Sequence, residues 1–395
     1  MAELSEFGAI VLVVSGGVLL ALLAHKLSDR FPIPAPALFL LAALILPVAL
    51  PHIKTVERVA VVALIVILFD GGMNIGWRRF RRAITPIAAL GIVGTLTTAG
   101  LVAVCAHYFL GFGWTFAGLL GAALAPTDPA VMFSILGDKE IRGRTGTILE
   151  GEAGVNDPVS IALMIGLVDF ATSDNGTMWV VVEEFVLEMG IGLAAGVVGA
   201  WLLLLFTRRV KLPSEGLYPL RMLAAAGLIY GLASVLHGSG FLAVFIAGLV
   251  LGDVDVPYKR QIRRFQTTLA SLAEIVVFIA LGLTVNATQL LDDNIWLDGL
   301  ILAVAVAFIA RPLGLAPLLA PMELRLGEKL FIAWSGLKGA VPILLAAFAI
   351  LAEVDDARRL YEIVFFVVAF SVVVQGASVP FAARRLGVPM RPVQP

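Results

Sequence analysis

One short stretch, LEGEAGVNDP (149–158), carries three carboxylates in a chain that is 60% hydrophobic. Glu152 and Asn156 are four residues apart, so they share one face of a helix. Asp157 points about 140° away from Glu152, because each helical residue advances about 100°. The two acids therefore have different predicted roles. A buried carboxylate can hold either a proton or a monovalent cation, and Asp157 is predicted to be that residue.

Two other apolar segments contain helix breakers and a charge at mid-depth. In the apolar segment 114–136, the sequence LAPTDPAV (124–131) has Thr127 and Asp128 between two prolines. In the apolar segment 329–351, the sequence SGLKGAVP (335–342) has Lys338 between two glycines. Irregular backbone at membrane depth is tolerated only where it is buried in protein or lines a cavity. We therefore expect two broken crossing helices around a binding site. Asp128 suits the partial charge of helix N-termini and Lys338 that of C-termini.

The remaining interior charges are interpreted as compensating or structural. Arg311 needs a partner, because a charge at the centre of a membrane helix costs about 2.5–3.5 kcal/mol on insertion scales. Glu152 is the predicted partner. Glu274 is expected either to compensate Lys338 or to line the cavity. Asp70 stands beside two glycines that suggest a helix end, and we expect it to act in capping or packing rather than in transport.

The composition defines the class of protein. Only 14% of the residues are charged, against roughly 25% in a soluble domain. A membrane span needs about 20 mostly apolar residues, and about thirteen segments qualify: 7–25, 34–50, 57–73, 83–109, 114–136, 147–171, 178–207, 217–235, 239–252, 267–285, 295–320, 329–351 and 361–381. The prediction is an all-α polytopic membrane protein.

Connections between these segments orient the chain. Most of their Lys and Arg residues lie in the odd-numbered connections, which the positive-inside bias assigns to the cytoplasm. The N-terminus is therefore expected outside and the C-terminus inside, in the cell inner membrane. Residues 1–381 are predicted to form a single transmembrane domain, and 382–395 a short cytoplasmic tail.

The two interrupted segments are seven apart in the predicted order. Seven is odd, so the later copy crosses the membrane in the opposite direction. Paired interruptions in inverted repeats point to a transporter binding site. The predicted repeats cover about 7–171 and 217–381, with the seventh segment linking them.

Several other functions fit the sequence less well. A net charge of −1 gives no reason to expect a nucleic-acid partner. The four histidines stand singly, without metal-ligand spacing, so neither a transition metal nor a cofactor is expected. No metal-hydrolase, nucleophile or phosphate-loop motif indicates an enzyme.

The leading hypothesis is cation/proton antiport, and the alternative is a cation channel or ion-conducting receptor that uses the same carboxylates.

These motifs carry a resemblance to the monovalent cation:proton antiporters, in their sodium/proton-exchanger-like branch. The matching stretches occur in the expected order: LFDGG (68–72), APTDPA (125–130), LEGEAGVNDP (149–158), Arg311-Pro312 and GLKGAVPI (336–343). The last of them, with LAEIVVFIALGL (272–283), looks most like the bacterial potassium/proton antiporter subgroup. That subgroup commonly has arginine where this chain has Lys338.

The resemblance implies thirteen spans, a homodimer and alternating access by an elevator-like motion. A core built from segments 4–6 and 11–13 would move against a dimerisation part built from the rest. Asp157 would carry H⁺ and K⁺ or Na⁺ in turn, and Thr127 and Asp128 would help build the ion site.

The same resemblance assigns roles to three other residues. The match at Asn156 marks the Asn-Asp branch, which is generally electroneutral. The matches at Glu152 and Arg311 imply a structural ion pair.

Overall fold

The structure is a computed structural model, and it describes most of the chain from residue 52 onward. The described residues are 15–16, 19, 36, 38–39, 52–136, 139–141, 143–173, 177–285 and 294–392. The first two predicted segments, 7–25 and 34–50, lie almost wholly outside this part.

Helices dominate the described chain. The first six are α1 (Ile53–Ile75), α2 (Trp77–Arg82), α3 (Ile84–Leu110), α4 (Trp114–Leu124), α5 (Pro129–Leu136) and α6 (Gly143–Thr172). Those that follow are α7 (Met178–Arg209), α8 (Leu217–Val235), α9 (Gly240–Asp253), α10 (Lys259–Gly282), α11 (Ile295–Leu319), α12 (Leu326–Trp334), α13 (Ala340–Leu351) and α14 (Ala357–Arg385).

Length and composition agree with a membrane protein. Within the described residues, eight helices are long and apolar enough to cross a membrane, namely α1, α3, α6, α7, α8, α10, α11 and α14. Three others, α4, α9 and α13, are apolar but shorter. The predicted class, a mostly helical polytopic membrane protein, is confirmed.

Three of the long helices contain a π-helical stretch. These stretches are Ala89–Gly94 in α3, Val306–Ala310 in α11 and Ser371–Gln375 in α14. A π turn inserts a residue into the helix, and such turns frequently occur at functional sites. Arg311 directly follows the stretch in α11.

Within the described residues, two apolar segments are interrupted by non-helical stretches that face each other. The first interruption, residues 125–128, separates α4 from α5, and the second interruption, residues 335–339, separates α12 from α13. The backbone N–H of Asp128 donates to the carbonyl oxygen of Leu337 at 2.8 Å. The two non-helical stretches therefore contact each other directly through their backbones.

The glycines beside Asp70 do not end a helix, so that part of the sequence interpretation is wrong. Helix α1 continues through Gly71 and Gly72 to Ile75. A Cβ added at Gly72 would lie 2.5 Å from the carbonyl oxygen of Phe245. The glycine is needed because α1 and α9 approach each other closely, backbone against backbone.

Several helices pack around α1. Helix α1 packs against α9 and α10, and α9 packs against α7; α3 packs against α4, and α13 against α14. Helices α6 and α13 also contact α1. These contacts bring α1, α6, α9, α10 and α13 together.

Two short strands join distant parts of the chain. Strand β1 (Lys139–Ile141) pairs antiparallel with β2 (Met390–Pro392). Part of the predicted tail, 382–395, therefore first completes α14 and then runs beside the connection between α5 and α6.

Candidate functional site

A cavity of about 400 Å³ lies between α1, α9 and α10 on one side and α5, α6 and α13 on the other. Liquid water takes about 30 Å³ per molecule, so this volume has room for a partly hydrated ion. The cavity is rich in carboxylates, which are Asp70, Asp128, Glu150, Asp157 and Glu274.

Asp157 is presented to this cavity by α6. The residue is 9% exposed and lines the cavity wall. Its carboxylate forms no hydrogen bond or ion pair with any described residue, although it interacts electrostatically with Asp128 and Lys338. Pro158 follows it inside the helix, where proline removes one backbone donor. The carboxylate therefore faces the cavity without a cationic side chain bound to it.

Asn156 and Thr127 lie together behind this wall. Asn156 Nδ2 donates to Thr127 Oγ1 at 2.8 Å, and both residues are buried. Neither is among the residues that line the main cavity, but Thr127 and Asp128 line a small pocket beside it. Asn156 Oδ1 has no partner in the described part of the chain. This contact fastens α6 to the first interruption.

Arg311 and Glu152 form a buried ion pair. Arg311 Nη2 lies 2.9 Å from Glu152 Oε1, and each side chain is 3% exposed. Arg311 also donates to the carbonyl oxygens of Ala333 and Ile332, at 3.2 and 3.3 Å. The guanidinium thus joins α6 to the end of α12. Because its charge and donors are used in this way, it is not available to Asp157.

Lys338 is turned towards the first interruption. Its ammonium donates to the carbonyl oxygens of Ala125 and Pro126, at 3.2 and 3.0 Å. These carbonyls follow α4, whose C-terminal end carries partial negative charge. The backbone N–H of Lys338 donates to Ser371 Oγ at 3.0 Å. The positive charge of the second interruption therefore lies at the C-terminal end of α4.

Glu274 projects from α10 into the main cavity. Its Oε1 is buried and has no hydrogen-bond partner among the described residues. The described ion pairs do not include one between Glu274 and Lys338. Of the two sequence alternatives, the cavity-lining arrangement is the one that the structure contains.

Sequence reasoning did not include Asp70 in the site. Asp70 lines the same cavity and accepts hydrogen bonds from Asn74 Nδ2 at 2.8 Å and Thr267 Oγ1 at 3.1 Å. The spacing of Asp70 and Asn74 was the available signal, because residues four apart share a helix face. The neighbouring glycines were interpreted as a helix end instead.

Ser371 and Gln375 on α14 were also missed. Gln375 Nε2 donates to the carbonyl oxygen of Trp334 at 2.6 Å, and Ser371 Oγ donates to Gln375 Oε1 at 3.0 Å. These two polar residues, four apart in an apolar segment, were the only hint in the sequence. They contact the second interruption rather than the cavity.

Two non-helical stretches within apolar segments, in contact with each other beside a carboxylate-lined cavity, are typical of secondary transporters, whose binding sites lie at membrane depth. Residues 16–385 match the family described as sodium/hydrogen exchanger, transmembrane. The chain belongs to the sodium/hydrogen exchanger family, a family of transporters.

Two named antiporters are similar in sequence to this chain. The chain is 37% identical over 385 residues to the K(+)/H(+) antiporter NhaP of Alkalimonas amylolytica, covering 95% of this chain and 66% of that protein. It is 28% identical over 333 residues to the Na(+)/H(+) antiporter ApNhaP of Aphanothece halophytica, covering 81% and 63%. The chain thus spans about two thirds of the length of these relatives.

A solved structure has the same overall fold. The sodium proton antiporter MjNhaP1 from Methanocaldococcus jannaschii superposes with a TM-score of 0.81 at 26% identity. The match covers 95% of this chain and 100% of that chain.

Proposed function

We infer that this chain exchanges a monovalent alkali cation for protons across the membrane, with Asp157 as the carboxylate that binds them in turn. One observation carries the proposal. Asp157 is buried at a cavity, while Arg311 and Lys338, both buried and cationic, are bound elsewhere, Arg311 to Glu152 and Lys338 to backbone carbonyls. A carboxylate in this setting is available to a mobile cation.

Competition at one carboxylate is sufficient for exchange. A proton and an alkali cation cannot occupy the same oxygens together, so each must leave before the other binds. If access to the site alternates between the two sides, each cycle moves the cation one way and the proton the other. Asn156 cannot titrate, which supports an electroneutral cycle of one cation for one proton.

Oxygen atoms around Asp157 suit a hard cation, which prefers oxygen ligands. Asp128 shares the cavity with Asp157. Thr127 and Asn156 offer a hydroxyl and an amide oxygen immediately behind it. Asp70 faces the same space from α1 and is proposed as an additional carboxylate on the path of the ion.

The membrane arrangement proposed here follows the inverted-repeat scheme. The two interruptions are seven segments apart in the predicted order. So are α3 and α11, and each of these carries a π-helical stretch. We extend this to thirteen spans, a core from segments 4–6 and 11–13, a homodimer built by the other helices, and an N-terminus outside the inner membrane. Such a carrier would serve pH homeostasis.

K⁺ is proposed as the first cation to test, with Na⁺ second. The relatives that are 31–37% identical are named K(+)/H(+) antiporters, and ApNhaP, named a Na(+)/H(+) antiporter, is 28% identical.

The decisive experiment is a pH-gradient assay in proteoliposomes that contain a fluorescent proton indicator. Addition of K⁺ or Na⁺ should dissipate the gradient with the wild type and fail to do so with Asp157→Asn, because the amide can neither titrate nor balance a cation. Glu323→Gln, which removes an exposed acid outside the cavity, should exchange as the wild type does.

Two results would contradict the proposal. Normal exchange by Asp157→Asn would remove Asp157 from the mechanism. Single-channel currents that do not depend on a proton gradient would indicate a channel instead of an antiporter.

A further inference from the structure

The second interruption is held by side chains of α14. Non-helical residues 335–339 leave backbone groups without helical partners. Gln375 donates to the carbonyl oxygen of Trp334 at one end of this stretch, and Ser371 accepts from the N–H of Lys338 near the other end. Ser371 in turn donates to Gln375, so the two side chains act as one unit.

Ser371 and Gln375 are buried, and their hydrogen-bond network extends to residues outside the interruption. Ser371 is 3% exposed and Gln375 is 5% exposed. Trp334 Nε1 donates to Ser378 Oγ at 2.9 Å, and Ser378 Oγ donates to the Gln375 carbonyl at 2.5 Å. An unsatisfied backbone group at membrane depth is costly. These contacts therefore favour a single position of the loop.

The position of the Lys338 side chain depends on the position of residues 335–339. Its backbone is bound by Ser371, and its ammonium contacts the carbonyls of Ala125 and Pro126. The ammonium also interacts electrostatically with Asp157. A shift of the backbone would move this charge relative to the carboxylate, which changes how strongly an incoming cation is bound.

We propose that Ser371 and Gln375 are positioning residues, a proposal that rests on the exchange proposed above. They hold the Lys338 ammonium on the carbonyls of Ala125 and Pro126. In this way they set the cation affinity at Asp157. Without them, the ammonium can approach the cavity carboxylates and compete with the transported cation. The apparent KM for the cation should then rise while the maximal rate changes little.

The test compares two hydrogen-bonded residues with two whose side chains have no hydrogen-bond partner among the described residues. Gln375→Met and Ser371→Ala remove the contacts with the interruption. Gln266 and Thr207 are also buried, but their side-chain polar atoms have no partner in the described chain. Gln266→Met and Thr207→Val are therefore the matched controls for loss of a buried amide and a buried hydroxyl.

In proteoliposomes, Gln375→Met and Ser371→Ala should each raise the apparent cation KM by about threefold to tenfold, the range of coupling through packed networks. Maximal rates should stay within about twofold of the wild type, since the chemistry at Asp157 is intact. Ser371→Thr keeps the hydroxyl and should keep the wild-type KM. Both controls should leave the KM unchanged.

A second measurement does not require transport. Hydrogen–deuterium exchange of the peptide containing Lys338 should be faster in Gln375→Met and Ser371→Ala than in the wild type and in both controls. Unchanged exchange there would overturn the positioning role. Faster exchange with an unchanged KM would overturn the link to affinity.

Loss of maximal rate without a change in KM would show a purely structural role and would also overturn the proposal. Absence of cation/proton exchange in the wild type would refute the proposed function instead. The deuterium result would then decide by itself whether Ser371 and Gln375 position Lys338.

Discussion

The two interruptions carry opposite charges and use them differently. Asp128, in the first interruption, lines the main cavity together with Asp157. Lys338, in the second, is turned onto the carbonyls that follow α4. For these two stretches, which contact each other through Asp128 and Leu337, we propose separate tasks: one supplies oxygen to the cavity, and the other offsets the partial charge of a helix end.

After the loss of exchange expected for Asp157→Asn, the largest effect on transport is expected where the second interruption meets the first. Lys338→Met leaves the carbonyls of Ala125 and Pro126 without their ammonium donor at membrane depth. We expect exchange to fall by more than about tenfold, measured as initial rates in proteoliposomes at equal protein content.

Lys338→Arg is the matched variant, because it keeps the positive charge and several donors. It should retain a large part of the exchange rate. If Lys338→Met transports as fast as Lys338→Arg, the positive charge is dispensable, and the proposed division of tasks between the interruptions is wrong.

The next effect concerns stability rather than transport. Arg311→Ala leaves Glu152 buried and without its partner, which costs about 3–5 kcal/mol when a buried pair is broken. Yield and thermal stability in detergent should therefore fall strongly, while the apparent cation KM of the surviving protein stays near the wild-type value.

Glu152→Gln is the companion variant, since it removes the negative charge and keeps an amide oxygen that Arg311 can use. It should be destabilised as well, but less than Arg311→Ala. A stable Arg311→Ala protein with a greatly altered cation affinity would show that the pair belongs to the ion site and not to the framework.

The smallest effect is expected on the wall opposite Asp157. Asp70→Asn removes one carboxylate from the cavity but keeps an oxygen that can accept from Thr267. The apparent cation KM should rise by roughly twofold to fivefold, as for the loss of a partly hydrated charge interaction, and Asp157 should remain essential. Measured KM values for K⁺ and Na⁺ check this.

Glu274→Gln removes another carboxylate on the same side of the cavity, and its KM values are the comparison for those of Asp70→Asn. If Asp70→Asn abolishes exchange as completely as Asp157→Asn, ion binding requires carboxylates of both α1 and α6, and the assignment to Asp157 alone is wrong.

Much of the architecture could be predicted from local features. Helix α7 was expected at 178–207 and is Met178–Arg209, and α9 was expected to be short and is Gly240–Asp253. These segments are bounded by polar residues, so hydropathy defines them. The helix end predicted at the glycines beside Asp70 is wrong, because a glycine pair signals both a helix end and close helix packing, and only the partner helix distinguishes the two.

The sequence by itself determined the membrane class, the two interruptions and which side chains could carry charge at depth, because apolar runs, helix breakers and ionisable groups are properties of each residue and its near neighbours. Only the tertiary structure decided which charges meet. Arg311 lies on Glu152, Lys338 lies on backbone carbonyls, and Asp157 faces the cavity. Such pairings join residues more than 150 positions apart, and they follow from how helices pack rather than from any local pattern.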